Sequence, residues 1–89
     1  MKIEAEVSVY PLRKSDLSTA IGRFLERLEQ PGLEVEAGAM SSHITGECGD
    51  LFRALGDAFE RGAEEGDVVL VMKVSNACGP RGTGRGVQG

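Results

Sequence analysis

The sequence has no tryptophan, one tyrosine and one histidine. Enzymes that act on sugars through paired carboxylates also need aromatic side chains to hold the substrate, and those are nearly absent here. The two cysteines, Cys48 and Cys78, form no Cys-x-x-Cys pair. With His43 as the single histidine, a closed zinc site of four Cys or His ligands cannot be assembled. The longest unbroken apolar run, Val68 to Met72, is five residues, far short of the ~20 that span a bilayer. Residues 1–10 alternate charge with apolar side chains and carry no hydrophobic block before a cleavage site, so the cytoplasm is the expected compartment. The thiols are then expected to stay reduced, as small buried or half-buried side chains.

What is present is an ordinary globular balance. The 89 residues are 40% apolar and 27% charged, enough for one small domain. Ten basic residues face fourteen acidic ones, a net charge of −4. Arg81 and Arg85 lie in a Gly-rich tail, so residues 1–78 hold eight basic and fourteen acidic side chains, a net −6. An acidic body disfavours nucleic acid and suits a neutral or cationic ligand. A chain this short buries little surface, so self-association into a homodimer or homotetramer is expected to add stability.

Residues 2–10 alternate strictly, with Ile3, Ala5, Val7 and Val9 on one side and Glu4, Glu6, Ser8 and Tyr10 on the other. Period two predicts a strand, ended by Pro11. From Ser15 the period lengthens: Leu17, Ala20, Ile21, Phe24, Leu25 and Leu28 predict a helix. Ser15 or Asp16 caps it and Pro31-Gly32 stops it. Alternation resumes at residues 33–40 and again at 43–48, predicting two strands joined by a turn at Ser41-Ser42. Asp50 is the expected cap of a second helix with Leu51, Phe52, Leu55, Ala58, Phe59 and Gly62 on its inner face, closing at Gly66. Val68 to Ser75 is a fourth strand. Residues 79–89 hold five glycines without periodicity and read as a disordered tail beyond a domain of residues 1–78.

The order βαββαβ with right-handed crossovers gives an α+β, ferredoxin-like sandwich. It has a four-stranded antiparallel sheet in the order 4-1-3-2 with both helices on one face. Cys48 and Cys78 then end two strand spacings apart, ~9.6 Å, beyond the ~7 Å that a disulfide tolerates. The uncovered face carries Glu4, Glu6, Ser8 and Tyr10, with His43, Thr45 and Glu47, Glu34 and Glu36, and Val69, Val71 and Lys73. Ser8, Thr45 and Val71 are expected to meet at its centre. A bare antiparallel face is commonly just solvated, but exposed Val69 and Val71 argue for a ligand or a second subunit upon it.

Catalytic arrangements find no support. For His43 beside Ser41 and Ser42 no orienting carboxylate can be assigned from the sequence, and no feature activates either thiol. The Gly-rich tail is not a phosphate loop, because no Gly-Lys-Ser/Thr and no helix follow it. Its Val87-Gln88-Gly89 echoes the phosphate cradle of acylphosphatases, but at the wrong place in the chain.

The run Val7-Ser8-Val9-Tyr10-Pro11-Leu12 resembles the first strand of the small thiamine-binding proteins, the YkoF-type thiamine/hydroxymethylpyrimidine binders and their single-domain relatives. Ser42-His43-Ile44-Thr45-Gly46, Asp50-Leu51-Phe52, Ala58-Phe59 and Asn76-Ala77-Cys78 resemble later parts of the same pattern. The resemblance covers residues 3–78 and implies an ACT-like ferredoxin fold, no enzymatic activity and no cofactor. It also implies thiamine or its hydroxymethylpyrimidine moiety as ligand, in a dimer or tetramer without nucleic-acid or membrane partners. One repeat is present where the YkoF type has two, so self-association would supply the second. Thiamine joins an aminopyrimidine to a cationic thiazolium. Tyr10 suits stacking on it. Ser8, Thr45 and Asn76 suit hydrogen bonding to the pyrimidine edge, and Glu6 or Glu47 suits the positive charge. Two other readings stand beside this one. The first is an ACT-like regulatory module that binds an amino acid between protomers. The second is a purely structural oligomerisation domain.

Overall fold

The computed structural model describes residues 1–77. Its elements are β1 (Lys2–Pro11), α1 (Leu17–Glu26), β2 (Glu34–Ala37), β3 (Ser42–Glu47), α2 (Cys48–Glu64) and β4 (Val68–Ser75). The strands form one sheet in the order β2-β3-β1-β4 with every neighbour antiparallel. This is the expected ferredoxin-like arrangement read from its other edge. The expected tail and the Cys48–Cys78 separation involve residues outside those described.

Period-two alternation in β1 is realised as burial. Ile3, Ala5 and Val7 are nearly inaccessible, while Glu4, Glu6 and Ser8 are half-buried on the opposite face. Ile44 of β3 joins the buried side, and Phe24 of α1 with Leu51, Ala54, Leu55 and Ala58 of α2 close over it. Leu28 and Leu33, in the connection between α1 and β2, complete the cluster.

Asp16 is the cap of α1. Its carboxylate accepts from the Thr19 backbone N–H at 3.1 Å and from the Thr19 hydroxyl at 2.7 Å, satisfying donors that the first turn leaves free. The helix ends at Glu26, earlier than Pro31-Gly32 suggests. Leu28 and Glu29 N–H groups bond three residues back, at 3.0 and 3.1 Å, and this tighter winding turns Leu28 into the core.

Three expectations are corrected. Strand β2 stops at Ala37 rather than Met40, because Gly38 N–H donates to Ser41 C=O at 2.9 Å and folds the chain into a turn. Helix α2 starts at Cys48, without a side-chain cap, and Asp50 lies inside its first turn. The Cys48 N–H donates to Met1 C=O at 2.8 Å, so the β1–β3 ladder runs on into the helix and supplies an acceptor there. Phe52 and Phe59 lie outside the core, 47% and 37% exposed. Small Ala54 and Ala58 take the inward arc instead, which lets α2 sit close to the sheet.

Two glycines give opposite expected outcomes. A β-carbon on Gly46 would lie 2.8 Å from the Gly32 carbonyl oxygen, a backbone atom with little freedom to retreat. Gly46→Ala is expected to destabilise by about 1–3 kcal/mol. A β-carbon on Gly56 of α2 meets nothing within 4 Å, so Gly56→Ala is expected to stabilise by about 0.5–1 kcal/mol. Urea unfolding of both variants checks the pair of signs.

Candidate functional site

The uncovered face divides into an apolar end and a charged end. Register places Tyr10 opposite Val69 and Ser8 opposite Val71. Tyr10 (51%), Val69 (44%) and Val71 (52%) are all well exposed, so this end presents adjoining apolar side chains with one hydroxyl among them. Further along, Glu6 lies opposite Lys73 on one side and His43 on the other. Lys73 Nζ is 3.6 Å from Glu6 Oε1, and His43 Nδ1 is 3.7 Å from Glu4 Oε2.

Glu6 is the best-held acid of this face. Ser41 Oγ donates to its Oε2 at 2.9 Å. That hydrogen bond, and then the Lys73 charge, hold the Glu6 carboxyl below the usual glutamate range. A hollow of about 330 Å³ lies beside it, bordered by Glu36, the 37–41 segment and His43. On the other side, Glu4, Glu6, His43, Lys73 and Ser75 border one of about 220 Å³.

A narrower cleft of about 130 Å³ opens where β3 has ended but β1 continues. Val7, Ser8 and Val9 form its floor, Ile21 and Leu25 of α1 one wall, and the 37–42 segment the other. Ser8 Oγ lies 3.5 Å from the Met40 carbonyl oxygen across its mouth. A wider hollow of about 450 Å³ lies at the β1–α1 turn. Its charged groups are largely engaged with protein: Arg13 with Asp67, Arg23 with Glu65, and Asp16 with Thr19.

The six residues singled out from sequence fall into two groups. Glu6, Ser8 and Tyr10 follow one another along β1, beside the cleft and the apolar end. Thr45 is not beside Ser8; it lies opposite Glu4, four residues along β1 and ~13 Å away. Glu47 lies opposite Lys2, and its carboxylate receives the Met1 ammonium at 2.9 Å. Asn76 is exposed just past β4, whose last residue, Ser75, pairs with Glu4. Register decides this division, because strands that alternate perfectly do so equally well when slid by two residues.

Sequence reasoning missed Ser41, Met40, Ile21 and Leu25. Ser41 was legible only as a turn residue, and Ile21 and Leu25 only as core. They are in fact half-buried, because the sheet beneath them lacks β3. Among the described residues, no group of three or more His, Cys, Asp or Glu side chains is placed to hold a metal ion. No helix among them is long and apolar enough to cross a membrane.

A βαββαβ sandwich with one open, acid-lined face and a cleft at its margin defines the class as a ferredoxin-like α+β domain. Within that class the chain belongs to the thiamine-binding protein family, whose sequence profile matches residues 5–83. Similar solved structures include a hypothetical protein of Methanocaldococcus jannascii, 26% identical. It covers 98% of this chain and 93% of its own, with a TM-score of 0.79. A Streptococcus pneumoniae protein is 21% identical over the whole of both chains, with a TM-score of 0.78. A Thermotoga maritima protein, provisionally assigned to thiamine biosynthesis or salvage, is 18% identical. It covers 84% of this chain and 83% of its own, with a TM-score of 0.75. The last two likenesses establish the fold. No match was found among the curated proteins.

The Glu6 contacts carry a pH signature. A carboxyl held low in the folded state contributes stability that is complete above its unfolded value. That contribution drains as pH falls through the lowered folded value. Ser41→Ala removes the leading cause, so the Glu6 carboxyl is expected to titrate closer to the ordinary glutamate range, read by carboxyl carbon NMR. An unchanged Glu6 titration would show that the hydroxyl does not hold it.

Proposed function

We propose that this protein binds thiamine or its hydroxymethylpyrimidine moiety without catalysis, in a cytoplasmic homo-oligomer. The observation that carries the reading is the family match over residues 5–83. The chemistry of the face supports it. Glu6 supplies negative charge for a thiazolium, and Tyr10 offers a ring at the edge of an apolar patch. Ser8 and the cleft beside it accept a small heteroaromatic. Thr45, Glu47 and Asn76 lie too far along the sheet to share a single ligand with Ser8. They serve a site only through a second copy or a second ligand.

The apolar end supports the oligomer. Tyr10, Val69 and Val71 are adjoining and exposed, and a second copy of this face would cover them. Such a copy also supplies the second repeat that a two-site assembly requires.

Titration calorimetry with thiamine and with hydroxymethylpyrimidine tests the ligand. At about 100 times Kd, linkage adds about 2.7 kcal/mol, which is roughly 10–20 °C of Tm for a domain of this size. No heat and no thermal shift at millimolar ligand would overturn the reading. A shift confined to an amino acid would favour an ACT-like regulatory module. Val71→Glu is expected to break the assembly, measured by sedimentation; an assembly that survives removes Val71 from the interface.

A further inference from the structure

Strand β1 outlasts β3, and the consequence lies in the backbone. Leu12 N–H donates to Asp67 C=O at 2.9 Å, one rung beyond the Pro11–Val68 pair. At the other end, Cys48 N–H donates to Met1 C=O at 2.8 Å, one rung beyond Lys2–Glu47. In an antiparallel ladder each residue aims its N–H and C=O at one neighbour, and successive residues alternate. Even-numbered β1 residues therefore bond β4, and odd-numbered ones bond β3.

Val7 is the last odd-numbered residue with a partner in β3, Ser42. Continuing that register, the next rung would join Val9 to Met40. Met40 lies outside β3, and among the described residues no backbone hydrogen bond joins it to Val9. The turn closed by Gly38 and Ser41 has drawn it aside. Val9 thus aims one backbone donor and one backbone acceptor into the cleft of about 130 Å³, between Leu25 and Ile21 on one side and Met40 on the other. Backbone groups in a half-buried slot need partners.

We infer that Val9 N–H and C=O read a planar heterocycle bearing adjacent acceptor and donor atoms, which takes the place of the missing β3 rung. This deepens the proposed function and rests on it: the matching edge is the N3 and 4-amino group of the thiamine pyrimidine. N3 accepts from Val9 N–H while the 4-amino group donates to Val9 C=O. Ile21, Leu25 and the Val7 and Val9 side chains pack against the ring, and Ser8 belongs to the same lining. A peptide strand cannot use this edge in the same way, because α1 closes one side and the 37–42 segment the other.

The test is a nitrogen-15 NMR titration of the full chain. The probes are thiamine, 4-amino-5-hydroxymethyl-2-methylpyrimidine, and the 4-oxo counterpart of that pyrimidine. In the 4-oxo compound N3 carries a proton and the 4-position accepts, so donor faces donor and acceptor faces acceptor. The Val9 amide is expected to shift downfield and saturate with the aminopyrimidine. The 4-oxo compound is expected to bind roughly tenfold or more weakly, the cost of mispairing two groups. Thiamine binding that leaves the Val9 amide unmoved overturns this inference while sparing the proposed function. Equal affinity for the amino and oxo compounds does the same. Failure of thiamine and of the aminopyrimidine to bind overturns both.

Discussion

Everything in this fold hangs on the unequal lengths of β1 and the strands that flank it. Strand β1 runs ten residues, β3 six and β4 eight. Over Glu4 to Val7 the central strand is paired on both sides. Beyond Val7 it is paired, among the described residues, with β4 alone. The two-sided stretch, with Ile3 just before it, anchors the core through Ile3, Ala5 and Val7. The one-sided stretch opens a cleft and leaves Tyr10, Val69 and Val71 exposed. The packed core and the open cleft are thus divided along one strand, the buried part fixing the geometry of the open part.

The turn between β2 and β3 sets where that division falls. Gly38 approaches the Ser41 carbonyl so closely that a β-carbon there would lie 2.7 Å from its oxygen. Only glycine fits without moving the backbone. The same turn gives Ser41 its place against Glu6 and swings Met40 away from Val9. One short segment therefore tunes an acid, ends a ladder and walls a cleft.

Charge is arranged on the same plan. Glu6 is countered by Lys73 and a hydroxyl, and Glu47 by the Met1 ammonium. These pairs are exposed and contribute little to folding, so their main effect is on the field over the open face. An excess of acids remains over that face.

The sequence by itself determined the elements and their partnership. The alternation of residues 2–10, the helical spacing after Asp16 and the β-branched run at 68–75 each state a local period, and βαββαβ order admits few compact solutions. The resemblance at Val7 to Leu12 pointed to the family as well. Only tertiary structure decided which residues share a site. Thr45 and Ser8 both lie on the open face, yet the β1–β3 register separates them, because a period of two says which side a residue takes and not which partner it meets. Phe52 and Phe59 read as core for a similar reason: helical spacing defines a stripe, while the small Ala54 and Ala58 decided which edge of it faces the sheet. The unpaired rung at Val9 was invisible in the chain, since it depends on where a neighbouring strand stops, and hydrogen bonds between strands leave no mark on side-chain pattern.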